Sequence, residues 1–404
     1  MKLATRSRDM RLDAIRGLFL ILMAGVHVPT PVSRCLQEPF GFVSEAEGFI
    51  FLSACLAGLT YGKSYWLADW SAMSRRVWHR AGKIYFVHLV VLLPVVLIVW
   101  MLAGGMVPLA NHFHDFLVQP WGGLALIPLL LHQPPLFDIL PLYIIFLLAT
   151  PWLLAMARQR GWGMVLGISA LGWLAAQFNL GLHLTGNPSR WFPFCWGSFN
   201  LAAWQLVWVG GLAFGETALH RPLLTGKWRS GIAVISASVV VAGLVARHGF
   251  VSVNPDCYLW MDKWTLGPLR LLNFAAWVGL LLAWNPRVPA RPLAPLALLG
   301  RHSLAVFAFH LPLVVAATTV IGVFAPSTAM QTDIGLMVIA LLFPWATLVE
   351  CYDSRPTVAA APEAAIPEGR LSFRNGGPAV ELDPDVSVRS SFPRWRAGAR
   401  IVRV

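Results

Sequence analysis

Apolar runs of about twenty residues recur along most of this chain, and they constrain its fold more than any other feature. A helix of that length is what crosses the hydrocarbon layer of a bilayer. Hydrophobic residues make up 57% of the sequence and charged residues only 12%, whereas soluble domains carry about a quarter of charged residues. The sequence therefore predicts an all-α polytopic membrane protein.

The apolar runs predict about ten transmembrane helices. A shorter stretch, 116–132, is interrupted by Pro120, Gly122 and Gly123, so we interpret it as a re-entrant or interfacial helix. The predicted spans are 12–30, 45–62, 84–104, 137–157, 162–180, 200–219, 230–247, 264–284, 298–323 and 332–350.

Basic residues orient these spans. With a cytoplasmic N-terminus, most of the Lys and Arg residues between spans fall in inner loops, as the positive-inside rule requires. Counting 116–132 as a span would invert every later loop. We therefore predict a bacterial inner-membrane protein with both termini in the cytoplasm, and we attribute the net charge of +12 to topology and not to nucleic-acid binding. The exceptions, in outer loops, are Arg34, Arg190, Arg247 and Lys263.

The composition changes abruptly after residue 353. Residues 1–353 form the predicted transmembrane domain, and the Ala-, Pro- and Arg-rich residues 354–404 predict a disordered cytoplasmic tail. The five cysteines form no CxxC pair, so no metal site is predicted. Cys35, Cys195 and Cys257 fall at the predicted outer face, where a disulfide remains an open alternative.

The first predicted span carries Asp13, Arg16 and His27, and it is interpreted as a retained helix and not as a cleaved signal. Charged groups within a span are costly and are often functional. Arg16 and His27 share one helix face about 16 Å apart, with Arg16 near the cytoplasm. An interfacial Asp13–Arg16 ion pair with His27 at the helix end is the structural alternative.

Other polar groups lie near the predicted helix ends. Glu47 falls at about the depth of His27, where a carboxylate would orient an imidazole. Arg76 and Arg80 are one turn apart at the inner face, a spacing that suits a phosphate. The remaining candidates for substrate binding are Tyr85, His88, Asp138, Tyr143, Arg270, Ser303 and His310.

The spacing of Arg16 and His27 matches a signature of the acyltransferase-3 superfamily of membrane proteins. The finer pattern resembles the OpgC family, succinyltransferases of osmoregulated periplasmic glucans, although Ala54 stands where that family usually has glycine. The matching stretches, in the expected order, are 11–17, 46–53, 137–143, 199–206, 266–270 and 299–304.

This resemblance implies an acyl-CoA donor, expected to be succinyl-CoA, a glucan hydroxyl as acceptor, and a tunnel between ten helices. It implies no permanently bound cofactor. His27 would act as the general base or as an acyl carrier. Glu47 would orient His27, Arg16 and Asp13 would position the donor, and Arg270 would bind the succinyl carboxylate. A different glycan acceptor, or a transporter of glycans or lipids, is the alternative function; a purely structural scaffold would not explain Arg16 and His27 on one face.

Overall fold

The computed structural model describes residues 9–67, 69–102, 113–178, 197–220, 226–249, 258–284 and 289–354. Within these ranges the chain is helical and contains no β-strand, which confirms the all-α class. Residues 355–404 of the predicted disordered tail lie outside the described residues, as do Cys195 and Cys257, while Cys35 has a free, exposed thiol.

The helices are α1 (Met10–His27), α2 (Pro31–Leu36), α3 (Glu45–Ala57), a π-helical segment (Gly58–Gly62), α4 (Lys63–Leu67), α5 (Trp70–Leu102), α6 (His114–Val118), α7 (Pro120–Leu126), α8 (Ile139–Arg160), α9 (Trp162–Gln177), α10 (Leu201–His220), α11 (Gly226–Arg247), α12 (Tyr258–Met261), α13 (Pro268–Trp284), α14 (Ala290–Arg301), α15 (Ser303–Phe324) and α16 (Thr328–Asp353).

Eight of the ten predicted spans each overlap one helix, whereas 45–62 covers α3 with the π-helical segment and 298–323 covers parts of α14 and α15. In the described part of the chain, five helices are long and apolar enough to cross a membrane: α5, α8, Trp228–Arg247 of α11, α15 and α16. Helices α9 and α13 are apolar but shorter, with 16 and 17 residues. The protein is therefore a membrane protein, whereas the count of ten spans and the cytoplasmic termini stay predictions. The stretch 116–132 forms no single long helix, because α6 and α7 are separated at Gln119.

Two predicted spans differ strongly from the helices of the structure. Helix α5 begins at Trp70, well before the predicted start at residue 84, so the basic residues of this region lie on the helix itself. The predicted span 298–323 divides at His302, where the backbone leaves helical geometry. Leu298 and Leu299 therefore belong to a separate amphipathic helix, α14, and they follow that helix because it packs against α1.

Helix α1 lies at the centre of the part of the fold that carries the site. It packs against α3, α14, α15 and α16. Two glycines allow a close crossing with α14: a Cβ added to Gly17 would lie 1.9 Å from the Leu296 carbonyl oxygen, and one added to Gly300 would lie 1.8 Å from the Asp13 carbonyl oxygen. Without side chains at these two positions, the backbones approach closely.

Glycines also allow helix α3 to cross α10. A Cβ on Gly215 would lie 2.0 Å from the Cys55 carbonyl oxygen, and one on Gly211 would lie 2.6 Å from the Ala54 Cβ. Ala54 is fully buried at this crossing. Its methyl group fits because position 211 has no side chain, so the chain accommodates alanine at position 54 by local packing.

Candidate active site

Two histidines meet where α1 ends. The rings of His27 and His310 are stacked, with centroids 5.6 Å apart and planes inclined by 17°. The Nδ1 atom of His27 lies 3.4 Å from Nε2 of His310. His310 is fully buried, and its own Nδ1 lies 2.6 Å from the Phe307 carbonyl oxygen. The structure thus unites residues that are 283 positions apart in the sequence.

The contacts of this pair define its protonation pattern. A carbonyl oxygen only accepts, so Nδ1 of His310 carries the proton and its Nε2 is an acceptor in the neutral ring. We therefore assign the donor role to Nδ1 of His27. In the neutral pair, this assignment leaves a lone pair on Nε2 of His27, and a lone pair there is what a general base or a nucleophile needs.

Arg16 lies at the other end of the same helix face. Its guanidinium donates a hydrogen bond from Nη2 to the hydroxyl of Ser303, the first residue of α15. The guanidinium carbon also lies 5.8 Å from the centre of the Phe49 ring. Asp13 is buried one turn earlier, beside the glycine crossing with α14. Arg16, Asp13 and Ser303 are therefore grouped where α1 meets α14 and α15.

Two phenylalanines connect the arginine end to the histidine end. Phe49 of α3 stacks on Phe307 of α15 with centroids 6.3 Å apart. Phe307 in turn meets His310 edge-on at 4.8 Å. A continuous line of side chains thus runs from Arg16 through these aromatic rings to the histidine pair.

Glu47 is fully buried and bonds to α13 instead of His27. It completes a capping box at the start of α3: its Oε2 accepts the backbone N–H of Ser44 at 3.0 Å and the Ser44 hydroxyl at 2.5 Å. Its Oε1 accepts the Nε–H of Arg270. No hydrogen bond joins Glu47 to His27 in the described structure. The predicted orienting role of Glu47 toward His27 stays a prediction.

Arg270 is the centre of a set of ion pairs that we call the ionic cluster. Its Nη1 donates to Glu38 at 2.5 Å, and Glu38 also accepts Nε–H of Arg247 at 2.6 Å. The Nη2 atom of Arg270 is buried and has no hydrogen-bond partner among the described residues. Lys263 lies 3.6 Å from Glu45. The members of the cluster are Glu38, Glu45, Glu47, Arg247, Lys263 and Arg270.

Four members of this cluster were not candidates in the sequence: Glu38, Glu45, Arg247 and Lys263. A signal for two of them was present, because Arg247 and Lys263 were exceptions to the positive-inside rule in the predicted topology. Burial disfavours the charged form of Glu38, but Arg270 and Arg247 outweigh it, so the pKa of this carboxyl lies below its usual value. The cluster fastens the loop before α3 to α11 and α13.

Helix α5 carries the candidates at the predicted inner face. Arg76 is exposed, and its Nη1 donates to the Ser64 hydroxyl at 3.1 Å. Arg80 is half-buried one turn later, and the hydroxyl of Tyr85 donates to the Pro128 carbonyl at 2.8 Å. His88 is buried farther along the same helix. The structure thus places these four candidates in order along one helix.

Asp138 and Tyr143 belong to a different part of the fold. Asp138 accepts the backbone N–H of Ser198 at 2.8 Å and is close to Gly197. The ring of Tyr143 meets Trp208 of α10 edge-on at 5.1 Å. Among the described residues, no hydrogen bond or ring contact joins either residue to the histidine pair. Their predicted role in substrate binding stays a prediction.

These features define a class of protein: a helical membrane protein with a histidine pair, a buried arginine and buried carboxylates among its helices. The chain belongs to the OpgC protein family, whose pattern matches residues 8–354. Membership indicates a membrane acyltransferase that modifies glucans. No curated protein and no solved structure matches the chain. The wider relationship to the acyltransferase-3 superfamily stays a prediction.

Proposed function

We propose that this protein transfers an acyl group, specifically succinyl, from cytoplasmic succinyl-CoA to hydroxyl groups of periplasmic glucans. The family match supports acyl transfer and glucan modification. The observation that carries the mechanism is the histidine pair, since the contacts of His310 leave Nε2 of His27 as the free basic atom.

In this mechanism, Nε2 of His27 removes the proton of a glucan hydroxyl while its oxygen attacks the thioester carbonyl carbon. The tetrahedral intermediate then collapses, the carbon–sulfur bond breaks, and the proton passes from His27 to the departing CoA sulfur. The products are an ester and free CoA. His310 is a positioning residue, because it accepts the Nδ1 proton of His27 and thereby holds the tautomer that the reaction needs.

A covalent variant uses the same atom. Nε2 of His27 attacks the thioester carbonyl carbon, the carbon–sulfur bond breaks, and CoA leaves as the thiolate. A glucan hydroxyl oxygen then attacks the acyl carbon, the carbon–nitrogen bond to His27 breaks, and the hydroxyl proton passes to solvent, from which the thiolate regains one. In both variants Arg76 and Arg80 bind the phosphates of the donor, and Arg16 with Asp13 positions its arm. The variants differ in one observable: only the covalent one leaves the acyl group on His27 when CoA is released without glucan.

Arg270 is the proposed partner of the free succinyl carboxylate. Two of its nitrogens are engaged with Glu47 and Glu38, and its buried Nη2 is the donor that remains for a substrate. A buried N–H without an acceptor is costly, so an incoming carboxylate would satisfy it. Glu47 and Glu38 fix the position of the guanidinium in this arrangement.

The first test is release of free CoA by the purified protein in detergent, with succinyl-CoA, with and without periplasmic glucan. We expect release that glucan stimulates, and we expect His27→Ala to reduce it by about 100-fold or more because a general base contributes at least that factor. His310→Gln, which keeps an acceptor for Nδ1 of His27, is expected to retain more activity than His310→Ala.

His248→Ala is the matched control, because His248 is an exposed histidine just beyond α11. It should retain the activity of the unchanged protein. Release without glucan that requires His27 would support the covalent variant or transfer to water. A well-folded protein that releases no CoA from any short acyl-CoA would contradict acyl transfer and would favour transport of a glycan or lipid.

A further inference from the structure

A histidine lies in the otherwise apolar buried face of α5. From residue 84 to the end of this helix, the buried positions are Ile84, His88, Leu92, Val95, Val96 and Val99. His88 is only 1% exposed, so its ring is enclosed as fully as the aliphatic side chains around it. Helix α5 packs against α8 and α15, and α15 carries Ser303 and His310.

Neither ring nitrogen of His88 has a hydrogen-bond partner among the described residues. A neutral imidazole has one donor and one acceptor. Leaving such a group buried and unsatisfied costs about 1–3 kcal/mol for each missing bond. A leucine at this position would avoid that cost, so folding alone does not account for the histidine.

The position of His88 on α5 relates it to the proposed donor site. Arg80, a proposed phosphate ligand, lies eight residues earlier, a rise of about 12 Å along the helix. A CoA thioester bound by its phosphates at Arg76 and Arg80 must extend its pantetheine arm from there to reach His27. That arm contains two secondary amides, and each amide has one N–H donor and one carbonyl acceptor.

We infer that His88 binds an amide of the pantetheine arm of the acyl donor. The inference rests on the proposed function and adds a recognition site for the carrier part of the donor. The match is chemical: the two amides of the arm offer both the N–H donor and the carbonyl acceptor that the ring nitrogens lack, one amide group for each nitrogen bound, whereas the methylene groups of an acyl chain satisfy neither. His88 acts in binding and takes no part in bond breaking.

The test compares His88→Leu with the unchanged protein in two measurements. Thermal unfolding without substrate should shift to a higher temperature, because the substitution removes a buried polar group that has no partner. The KM for succinyl-CoA should rise about tenfold, the effect of losing one to two hydrogen bonds. The KM for glucan and kcat should stay nearly unchanged.

Two further variants complete the experiment. His88→Gln keeps one donor and one acceptor and should recover much of the affinity for succinyl-CoA, without the rise in unfolding temperature. His248→Leu removes an exposed histidine and should change neither measurement. His88→Gln also keeps the test decisive if His88→Leu fails to fold.

Three outcomes would overturn the inference. A lower unfolding temperature for both His88 variants would identify His88 as a structural residue. An unchanged KM for succinyl-CoA, in a protein that does release CoA, would remove His88 from the donor site while leaving the proposed function intact. If the unchanged protein neither releases CoA nor gains thermal stability from CoA, the proposed function fails and this inference fails with it.

Discussion

Glu38 shows how a single residue orders the ionic cluster around Arg270. It lies in the loop before α3 with a positive φ of 54°, a backbone conformation that is uncommon for a residue with a side chain. Its carboxylate bridges Arg247 and Arg270, which belong to α11 and α13. The two ion pairs hold the loop in this conformation and keep Arg270 next to Glu47.

We predict that Glu38→Gln destabilises the protein in a pH-dependent way. Because the pKa of Glu38 is lowered in the folded state, its contribution is complete above the pKa of the unfolded chain and is lost as pH falls through the folded pKa. The loss at pH 7 should be about 1–2 kcal/mol, since the carboxylate is only partly exposed. Thermal unfolding in detergent between pH 3 and pH 8 measures it.

Asp333→Asn is the control for this prediction, because Asp333 is an exposed carboxylate on α16. It should have little effect at any pH. A difference between Glu38→Gln and the unchanged protein that persists undiminished at pH 3 would show that the charge of Glu38 is not what stabilises the loop.

The sequence singled out polar residues within apolar spans, but it did not indicate which of them contact one another. Arg16, His27, Ser303 and His310 were candidates because ionisable or polar groups within apolar spans are costly. Which of them meet could not be predicted, because the Arg16–Ser303 and His27–His310 contacts join residues 287 and 283 positions apart. Spacing along a helix reports neighbours on that helix only.

At the scale of helices, the crossing of α1 and α14 suggests a direct test. Gly17→Ala would place a Cβ 1.9 Å from the Leu296 carbonyl oxygen, so one backbone must move. We predict a loss of about 1–3 kcal/mol in stability. Acyl transfer should fall as well, because the shift separates Arg16 from Ser303. Unfolding temperature and CoA release measure the two effects.

Gly210→Ala provides the comparison, because a Cβ there has nothing within 4 Å. Alanine is the better helix former by roughly 0.5–1 kcal/mol, so this variant should be neutral or slightly more stable. Equal behaviour of the two variants would argue against a close backbone crossing at Gly17.

Helix α14 was not predicted as a separate helix, and its length and sequence explain why. Hydropathy detects helices that are apolar on all sides, and α14 has only 12 residues, with Arg291, Pro292 and Pro295 near its start. Its apolar side is meaningful only with α1 beside it. The long spans α8, α15 and α16 were predicted because their apolar length is a property of the segment itself.

At the scale of the whole molecule, two exposed cysteines test the topology. We predict that a membrane-impermeant maleimide labels a variant with only Cys35 in right-side-out vesicles and one with only Cys351 in inside-out vesicles. The physical reason is the positive-inside rule, which orients the basic loops toward the cytoplasm. With ten spans, that orientation places both termini in the cytoplasm. A variant with only Cys55, which is buried, should stay unlabelled until the protein is unfolded.

Labelling of Cys351 from the periplasmic side would require an odd number of spans. The stretch 116–132 would then be the first segment to reconsider as a crossing. The overall class was predictable because apolar composition alone determines it, whereas the number of crossings depends on how short helices such as α9 and α13 sit in the bilayer.

Helix α1 has one more consequence, which concerns length. It is unbroken from Met10 to His27, so the eleven helical steps from Arg16 to His27 form a rigid rod of about 16 Å. Near Arg16, the close contacts at Gly17 of α1 and Gly300 of α14 hold this helix against α14. No small adjustment of side chains can bring its two polar ends together. A molecule that contacts both Arg16 and His27 must itself span about 16 Å. Helix α1 therefore sets a minimum length for any acyl carrier that binds along it.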